Sequence, residues 1–211
     1  MIPSLDNLLI FAGASVLLVL TPGPNLLYLV SRTLCQGRAA GVISLAGTTT
    51  GFWFHIMAAA FGLSAVFATV PMVYEIVRYA GALYLLWLAV DALRAGGGGL
   101  FALRPMPALS RGRLFRTGVL TSVLNPKVAL FYLALFPQFV DPTRGSVLVQ
   151  SLVLGVVQIG IAIVGDMIFI LTAARVAQWL QHRPRWAAAQ RWVLAGTFAA
   201  IAARLALVSE R

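Results

Sequence analysis

The triplet Asn125-Pro126-Lys127 interrupts an apolar run that extends from Thr117 to Val140. Proline has no amide hydrogen for a helical hydrogen bond, and it disfavours helix at the residue before it. Lys127 adds an ammonium, whose insertion at the centre of a bilayer costs roughly 3 kcal/mol. A chain carries such groups through lipid only where they are buried in protein or face a cavity. The run therefore predicts a broken membrane helix beside a polar site, although a lone proline often only kinks a helix.

A second break, Thr21-Pro22-Gly23-Pro24-Asn25, lies in the first apolar run. Interrupted spans at matching positions in two halves of a chain are typical of transporter binding sites. The half-helix after each break offers free N–H groups and a positive dipole end, which suit a carboxylate. The candidate substrate-binding residues of the two breaks are therefore Pro22, Gly23, Pro24, Asn25, Asn125, Pro126 and Lys127.

Asp166 carries the one formal charge between Gly145 and Ala174. A carboxylate at that depth must face the protein interior or water, and such residues mark functional sites by default. It could pair with Lys127, hold a substrate ammonium or take up a proton, and a structural ion pair is the alternative. Two breaks that attract a carboxylate, opposed by this acid, describe a site for a zwitterion.

His55 is the second candidate for proton coupling, beside Asp166. It lies in an otherwise uncharged segment, Phe52-Trp53-Phe54-His55-Ile56. Histidine titrates near physiological pH and can relay protons, but a neutral histidine that bonds between helices is an equal alternative. The sequence leaves open which of the two carries the proton.

Composition identifies the class of protein. The chain has 60% hydrophobic and 10% charged residues, whereas soluble domains have about 25% charged residues. Asp6 stands where a cleavable signal peptide would have basic residues, so the first span should stay in place. We expect an all-α integral membrane protein of six transmembrane helices, with helices 1 and 4 broken. The spans are expected near Asn7–Ser31, within Ala39–Val70, near Pro71–Ala92, near Thr117–Val140, within Gly145–Ala174 and near Trp186–Val208.

Arginine distribution predicts the orientation. The loops after spans 1, 3 and 5 hold 11 arginines and the opposite side holds 4, which places the three odd loops in the cytoplasm and both termini in the periplasm. We expect one membrane domain over residues 1–211: a repeat at about 1–95, a basic Gly/Pro linker at about 96–112 and a repeat at about 113–211. Because each repeat has three spans, the two must be inverted relative to each other.

Enzyme and cofactor motifs are missing from the sequence. Two histidines and one cysteine make no His/Cys metal cluster, and there is no phosphate-binding Gly-Lys-Ser/Thr loop. We therefore expect no enzyme and no cofactor. The net charge of +10 follows from the orienting arginines and does not indicate nucleic acid. The stripe from Gly47 to Gly51 predicts close helix packing and would allow a homodimer.

Three motifs resemble the LysE/RhtB amino-acid exporters of bacterial inner membranes, and the resemblance covers the whole chain. They are Thr21-Pro-Gly-Pro-Asn25, Ala80-Gly-Ala-Leu-Tyr-Leu-Leu-Trp-Leu88, and Asn125-Pro-Lys127 followed by Phe136-Pro-Gln-Phe139. The resemblance implies export of homoserine, homoserine lactone, threonine or a basic amino acid, by proton antiport, through an inverted 3+3 arrangement. An exporter of another small solute or cation and a membrane assembly protein without transport activity remain the alternatives.

Overall fold

The computed structural model describes residues 3–69 and 107–181, with isolated helical positions at 79, 83, 86, 90, 192, 196, 199, 200 and 203. Within these residues the structure is helical and contains no strand. The predicted third and sixth spans, apart from those isolated positions, lie outside the described residues, as does most of the predicted linker.

The first helical run is bent at the Pro-Gly-Pro motif. Helix α1 is Leu5–Leu20 and helix α2 is Pro24–Gln36, and their axes differ by 51°. Helix α1 ends because Pro22 and Pro24 cannot donate the main-chain hydrogen bonds that a further turn would need. Helix α3, Arg38–Thr69, follows directly.

The second bent run has the same plan. Helix α4 is Arg111–Val123 and helix α5 is Pro126–Leu130. The chain continues as a π-helical turn, Phe131–Leu135, and a 3₁₀ turn, Phe136–Phe139, and the two parts are bent by 44°. A short 3₁₀ turn, Pro142–Arg144, leads to helix α6, Val147–Gln181.

The hydropathy pattern predicted the positions of the helices more accurately than the residues at which they begin and end. Helix α4 begins at Arg111, whereas the sequence predicted a start at Thr117. The prediction was late because a hydropathy pattern excludes the arginines of the first turns. Helix α6 extends past Ala174 to Gln181 for the same reason. Among the described residues, two segments, Arg38–Gly62 and Val147–Arg175, are long and apolar enough to cross a membrane. The number rises to four if each bent pair counts as one span.

Small residues let α3 and α4 approach closely. A Cβ on Gly118 would lie 2.6 Å from the Ser44 carbonyl oxygen, and one on Gly51 would overlap the Ser122 side chain. The prediction of helix packing for the Gly47–Gly51 stripe is thus confirmed. Because α4 covers this face within the chain, the stripe is not available to a second copy.

Polar contacts join the ends of several elements on the arginine-rich side. Arg32 donates to the carbonyl oxygen of Pro107 at 3.0 Å, and Gln36 donates to that of Leu109 at 3.0 Å. Arg38 donates to the carbonyl oxygen of Leu171 at 3.1 Å. The end of α2, the start of α4 and the last third of α6 therefore lie at one end of the bundle.

The α3–α4 contact gives a stability prediction. Gly118→Ala should destabilise the protein by about 1–3 kcal/mol, because the new methyl group is forced into the main chain of α3. Gly160→Ala is the matched control: nothing lies within 4 Å of a Cβ there, and alanine favours helix by up to ~1 kcal/mol. Thermal unfolding in detergent should show a lower midpoint for the first variant alone. Equal midpoints would contradict the packing described.

Candidate functional site

The two breaks meet through a pair of asparagine side chains. Asn125 donates from Nδ2 to Oδ1 of Asn25 at 2.9 Å, across 100 residues of sequence. Asn25 in turn donates from Nδ2 to the Ser122 hydroxyl at 3.3 Å. Both asparagines are buried, so the amide pair joins the bend between α1 and α2 to the bend between α4 and α5.

One main-chain group fixes the direction of these bonds. The amide N–H of Lys127 donates to Oδ1 of Asn125 at 3.0 Å, which makes Asn125 the N-cap of α5. A main-chain N–H can only donate, so this atom of Asn125 is its oxygen and the other is its nitrogen. The nitrogen must then face the oxygen of Asn25. The pair therefore has one orientation.

The Lys127 side chain crosses from the second break to the first. Its ammonium donates to the carbonyl oxygens of Leu18 at 2.9 Å and Thr21 at 2.6 Å. In a continuous helix the Leu18 carbonyl would accept from residue 22, which is proline. Lys127 thus supplies the donor that Pro22 lacks, and its positive charge lies at the negative end of the α1 dipole.

Gly23 makes room for that crossing. A Cβ on Gly23 would lie 3.0 Å from Cε and 3.1 Å from Nζ of Lys127. The backbone of Gly23 is extended, with φ −168° and ψ −179°, a conformation open to any residue. Space beside the lysine is therefore what requires glycine here.

His55 makes the corresponding contact at the second break. Its Nε2 lies 3.0 Å from the carbonyl oxygen of Ser122, the group that would accept from residue 126 in a continuous helix. Pro126 has no such donor, and because a carbonyl can only accept, His55 donates. The His55 ring stacks on Tyr132 at 5.6 Å, and the Tyr132 hydroxyl donates to Gln158 at 2.7 Å.

Asp166 lies at the level of the first break, on the buried face of α6. It is 5% exposed. A Cβ on its neighbour Gly165 would lie 2.6 Å from Val19, in the last turn of α1. The Lys127 ammonium bonds the Leu18 carbonyl in that same turn, so both groups lie beside one turn of α1. The site therefore combines one buried cation and one buried acid.

The structure brings together the residues chosen from the sequence: Pro22, Gly23, Pro24 and Asn25 at one bend, Asn125, Pro126 and Lys127 at the other, and His55 and Asp166 beside them. Sequence reasoning missed Ser122, Tyr132 and Gln158. Ser122 could have been found from the sequence, because a carbonyl four residues before a proline loses its helical donor.

Among the described residues, no group of three or more His, Cys, Asp or Glu side chains could hold a metal ion.

Comparison with known proteins matches the chain to one family. The family described as LysE type translocator matches residues 16–209. The chain belongs to the LysE-type translocator family. It is thus a multi-pass membrane transporter and not an enzyme, as the sequence predicted.

Relatives of this translocator are named efflux proteins. It is 36% identical over 168 residues to a homoserine/homoserine lactone efflux protein of Salmonella typhimurium, covering 79% of this chain and 80% of the relative. It is 28% identical over 196 residues to a leucine efflux protein of Salmonella choleraesuis, covering 93% and 92%. No solved structure matches the chain significantly.

The bonds of Asn125 predict unequal effects of two small substitutions. Asn125→Ser keeps an acceptor for the Lys127 amide and a hydroxyl hydrogen that can donate to Oδ1 of Asn25. Asn125→Ala removes both, and the loss of the helix cap alone costs about 0.5–2 kcal/mol. Thermal unfolding should therefore show the larger loss for Asn125→Ala. Equal losses would contradict the cap.

Proposed function

We propose that this translocator is a secondary active exporter of a zwitterionic amino acid or close derivative across the bacterial inner membrane, driven by proton antiport. The observation that carries the proposal is the meeting of two helix breaks at a buried amide pair, with Lys127 and Asp166 beside it. Buried ionisable groups at helix breaks are expensive in a membrane, and a transport site is their common purpose.

The substrate carboxylate is assigned to the start of α2. No side chain caps this helix, and Pro24 has no N–H, so the amides of Asn25 and Leu26 have no donor role within the helix. At α5 the corresponding amide of Lys127 is already taken by Asn125. The Lys127 ammonium has three hydrogens, of which two bond Leu18 and Thr21, and the third is assigned to the carboxylate.

The substrate ammonium is assigned to Asp166. In the part of the chain that the structure describes, Asp166 is the buried acidic side chain. A basic amino acid would bring a second cation that needs a second acid. The site therefore favours a neutral amino acid over lysine or arginine. The relatives named for homoserine and for leucine efflux support the same class. Homoserine lactone, also in the first name, keeps the ammonium but has an ester in place of the carboxylate.

Proton coupling is assigned to Asp166 rather than His55. Protonation of the carboxylate would remove the charge that holds the substrate ammonium, so substrate and proton compete for one group, as antiport requires. The Nε2–H of His55 is committed to the Ser122 carbonyl. Its role in the proposal is therefore structural, with Nδ1 as the remaining site for a proton.

The proposed topology treats each bent pair as one broken span. Together with α3, α6 and the predicted third and sixth spans, this gives six spans in two inverted repeats, at about 1–95 and 113–211. The contacts among Arg32, Arg38, Pro107 and Leu171 at one end of the bundle support a shared cytoplasmic face, with both termini in the periplasm. A homodimer, if it forms, must use a face other than the Gly47–Gly51 stripe.

The transport role of Asp166 is tested by its amide variant. Asp166→Asn should abolish proton-driven uptake of homoserine or leucine into inverted vesicles, because the amide neither attracts an ammonium nor exchanges a proton at neutral pH. The matched control is Asp141→Asn, in the exposed turn where Thr143 binds the carboxylate, which should transport normally. Both should reach the membrane at wild-type levels. Full transport by Asp166→Asn would remove Asp166 from the mechanism.

The substrate class is tested by competition in the same vesicles. With an imposed pH gradient, neutral amino acids should inhibit uptake of labelled homoserine or leucine more than lysine or arginine do. Transport of a divalent cation, or no transport of any amino acid by the wild type, would contradict the proposed function and favour the alternative solutes or an assembly role.

A further inference from the structure

We propose that Lys127 and His55 are positioning residues that replace the main-chain donors removed by Pro22 and Pro126, so that each broken helix is held at its bend by a side chain from another element. This inference concerns how the site is built, and its test does not depend on the proposed substrate.

Each proline fails to serve one helical carbonyl, and that carbonyl accepts from Lys127 or His55. A proline at position 22 removes the N–H that would bond the Leu18 carbonyl, and Lys127 donates to that oxygen at 2.9 Å. A proline at position 126 removes the N–H that would bond the Ser122 carbonyl, and His55 lies 3.0 Å from that oxygen. In both cases a side chain bonds the carbonyl that the proline does not serve. The Ser122 carbonyl also accepts from the Asn125 amide at 3.1 Å, so His55 provides its second hydrogen bond.

Lys127 and His55, called the caps below because each bonds a carbonyl at the end of a broken helix, also link the two bends to each other. Lys127 lies two residues after the start of the second break and caps the first, while His55 lies on α3 and caps the second. The contact between α3 and α4 brings His55 to the Ser122 carbonyl. Gly47, Gly51 and His55 recur every four residues on one face of α3, and that face packs against Gly118 and Ser122 of α4. Each bend is therefore held by a residue outside its own broken helix.

Ionisable side chains suit this task inside a bilayer. A free carbonyl in the hydrocarbon region has no water to bond, so a protein donor must reach it. Hydrogen bonds from charged donors are also stronger than neutral ones. The long lysine side chain reaches two carbonyls from a neighbouring helix, and Gly23 leaves the space for it.

Crossed double-mutant cycles test the assignment. Lys127→Met removes the first cap, and His55→Phe removes the second while keeping a ring to stack on Tyr132. Each is made in the wild type, in Pro22→Ala and in Pro126→Ala. Pro24→Ala is the matched control, because it lies in the same motif but would serve the Leu20 carbonyl, to which Lys127 does not donate. The measurement is the thermal midpoint of purified protein in detergent, without substrate.

Each proline substitution should rescue its own cap variant. Lys127→Met should lower the midpoint by roughly 3–10 °C. The loss should fall by at least half in Pro22→Ala, where residue 22 regains an N–H for Leu18, and stay unchanged in Pro24→Ala and Pro126→Ala. His55→Phe should be rescued by Pro126→Ala and not by Pro22→Ala. Where a single variant does not accumulate, the yield of monodisperse protein in the same backgrounds is compared instead.

Equal losses in all backgrounds would overturn the inference, since a side chain that is merely packed in the core does not respond to which proline is replaced. The vesicle assay separates this outcome from failure of the transport proposal. Specific rescue with no amino-acid transport by the wild type would refute the proposed function alone. Equal losses with intact wild-type transport would refute the caps alone.

Discussion

A helix that breaks inside a bilayer must have its freed main-chain groups bonded by protein, because lipid offers no partner. The rest of the site depends on this constraint. The two breaks remove the helical donors of the Leu18, Thr21 and Ser122 carbonyls. Lys127 bonds the first two, and His55 bonds the third together with the Asn125 amide. The amide of Lys127 is bonded by Asn125, which is itself paired with Asn25. Lys127, His55 and the asparagine pair are thus polar residues that the breaks require.

The same arrangement explains how a structural cation can also serve transport. Two hydrogens of the Lys127 ammonium hold α1, which fixes the position of the charge without neutralising it. Asp166 lies on another helix, next to Gly165, which packs against the same turn of α1. A substrate that carries both charges can bind between them, and a proton on Asp166 would weaken that binding. Stability and transport are therefore expected to share residues, and α2 contributes an uncapped helix start beside them.

Part of this architecture is visible in the sequence. The breaks follow from Pro22, Pro24 and Pro126, and the depth of Lys127 and Asp166 follows from the apolar residues around them. The partners do not follow, because Asn25 and Asn125 are 100 residues apart, and their meeting depends on the glycine-mediated packing of α3 on α4. The start of α4 at Arg111 was also missed, because charged first turns carry no hydropathy signal.

The central claim is tested most directly by the position of the lysine ammonium. The chain contains one lysine, so protein labelled with ¹⁵N at lysine Nζ gives a single side-chain resonance in lipid bilayers. We expect strong dipolar dephasing of that resonance when the main-chain carbonyls of leucine and threonine are labelled with ¹³C, because Nζ lies 2.9 Å and 2.6 Å from the Leu18 and Thr21 oxygens. A lysine resonance that neither label dephases would contradict the account.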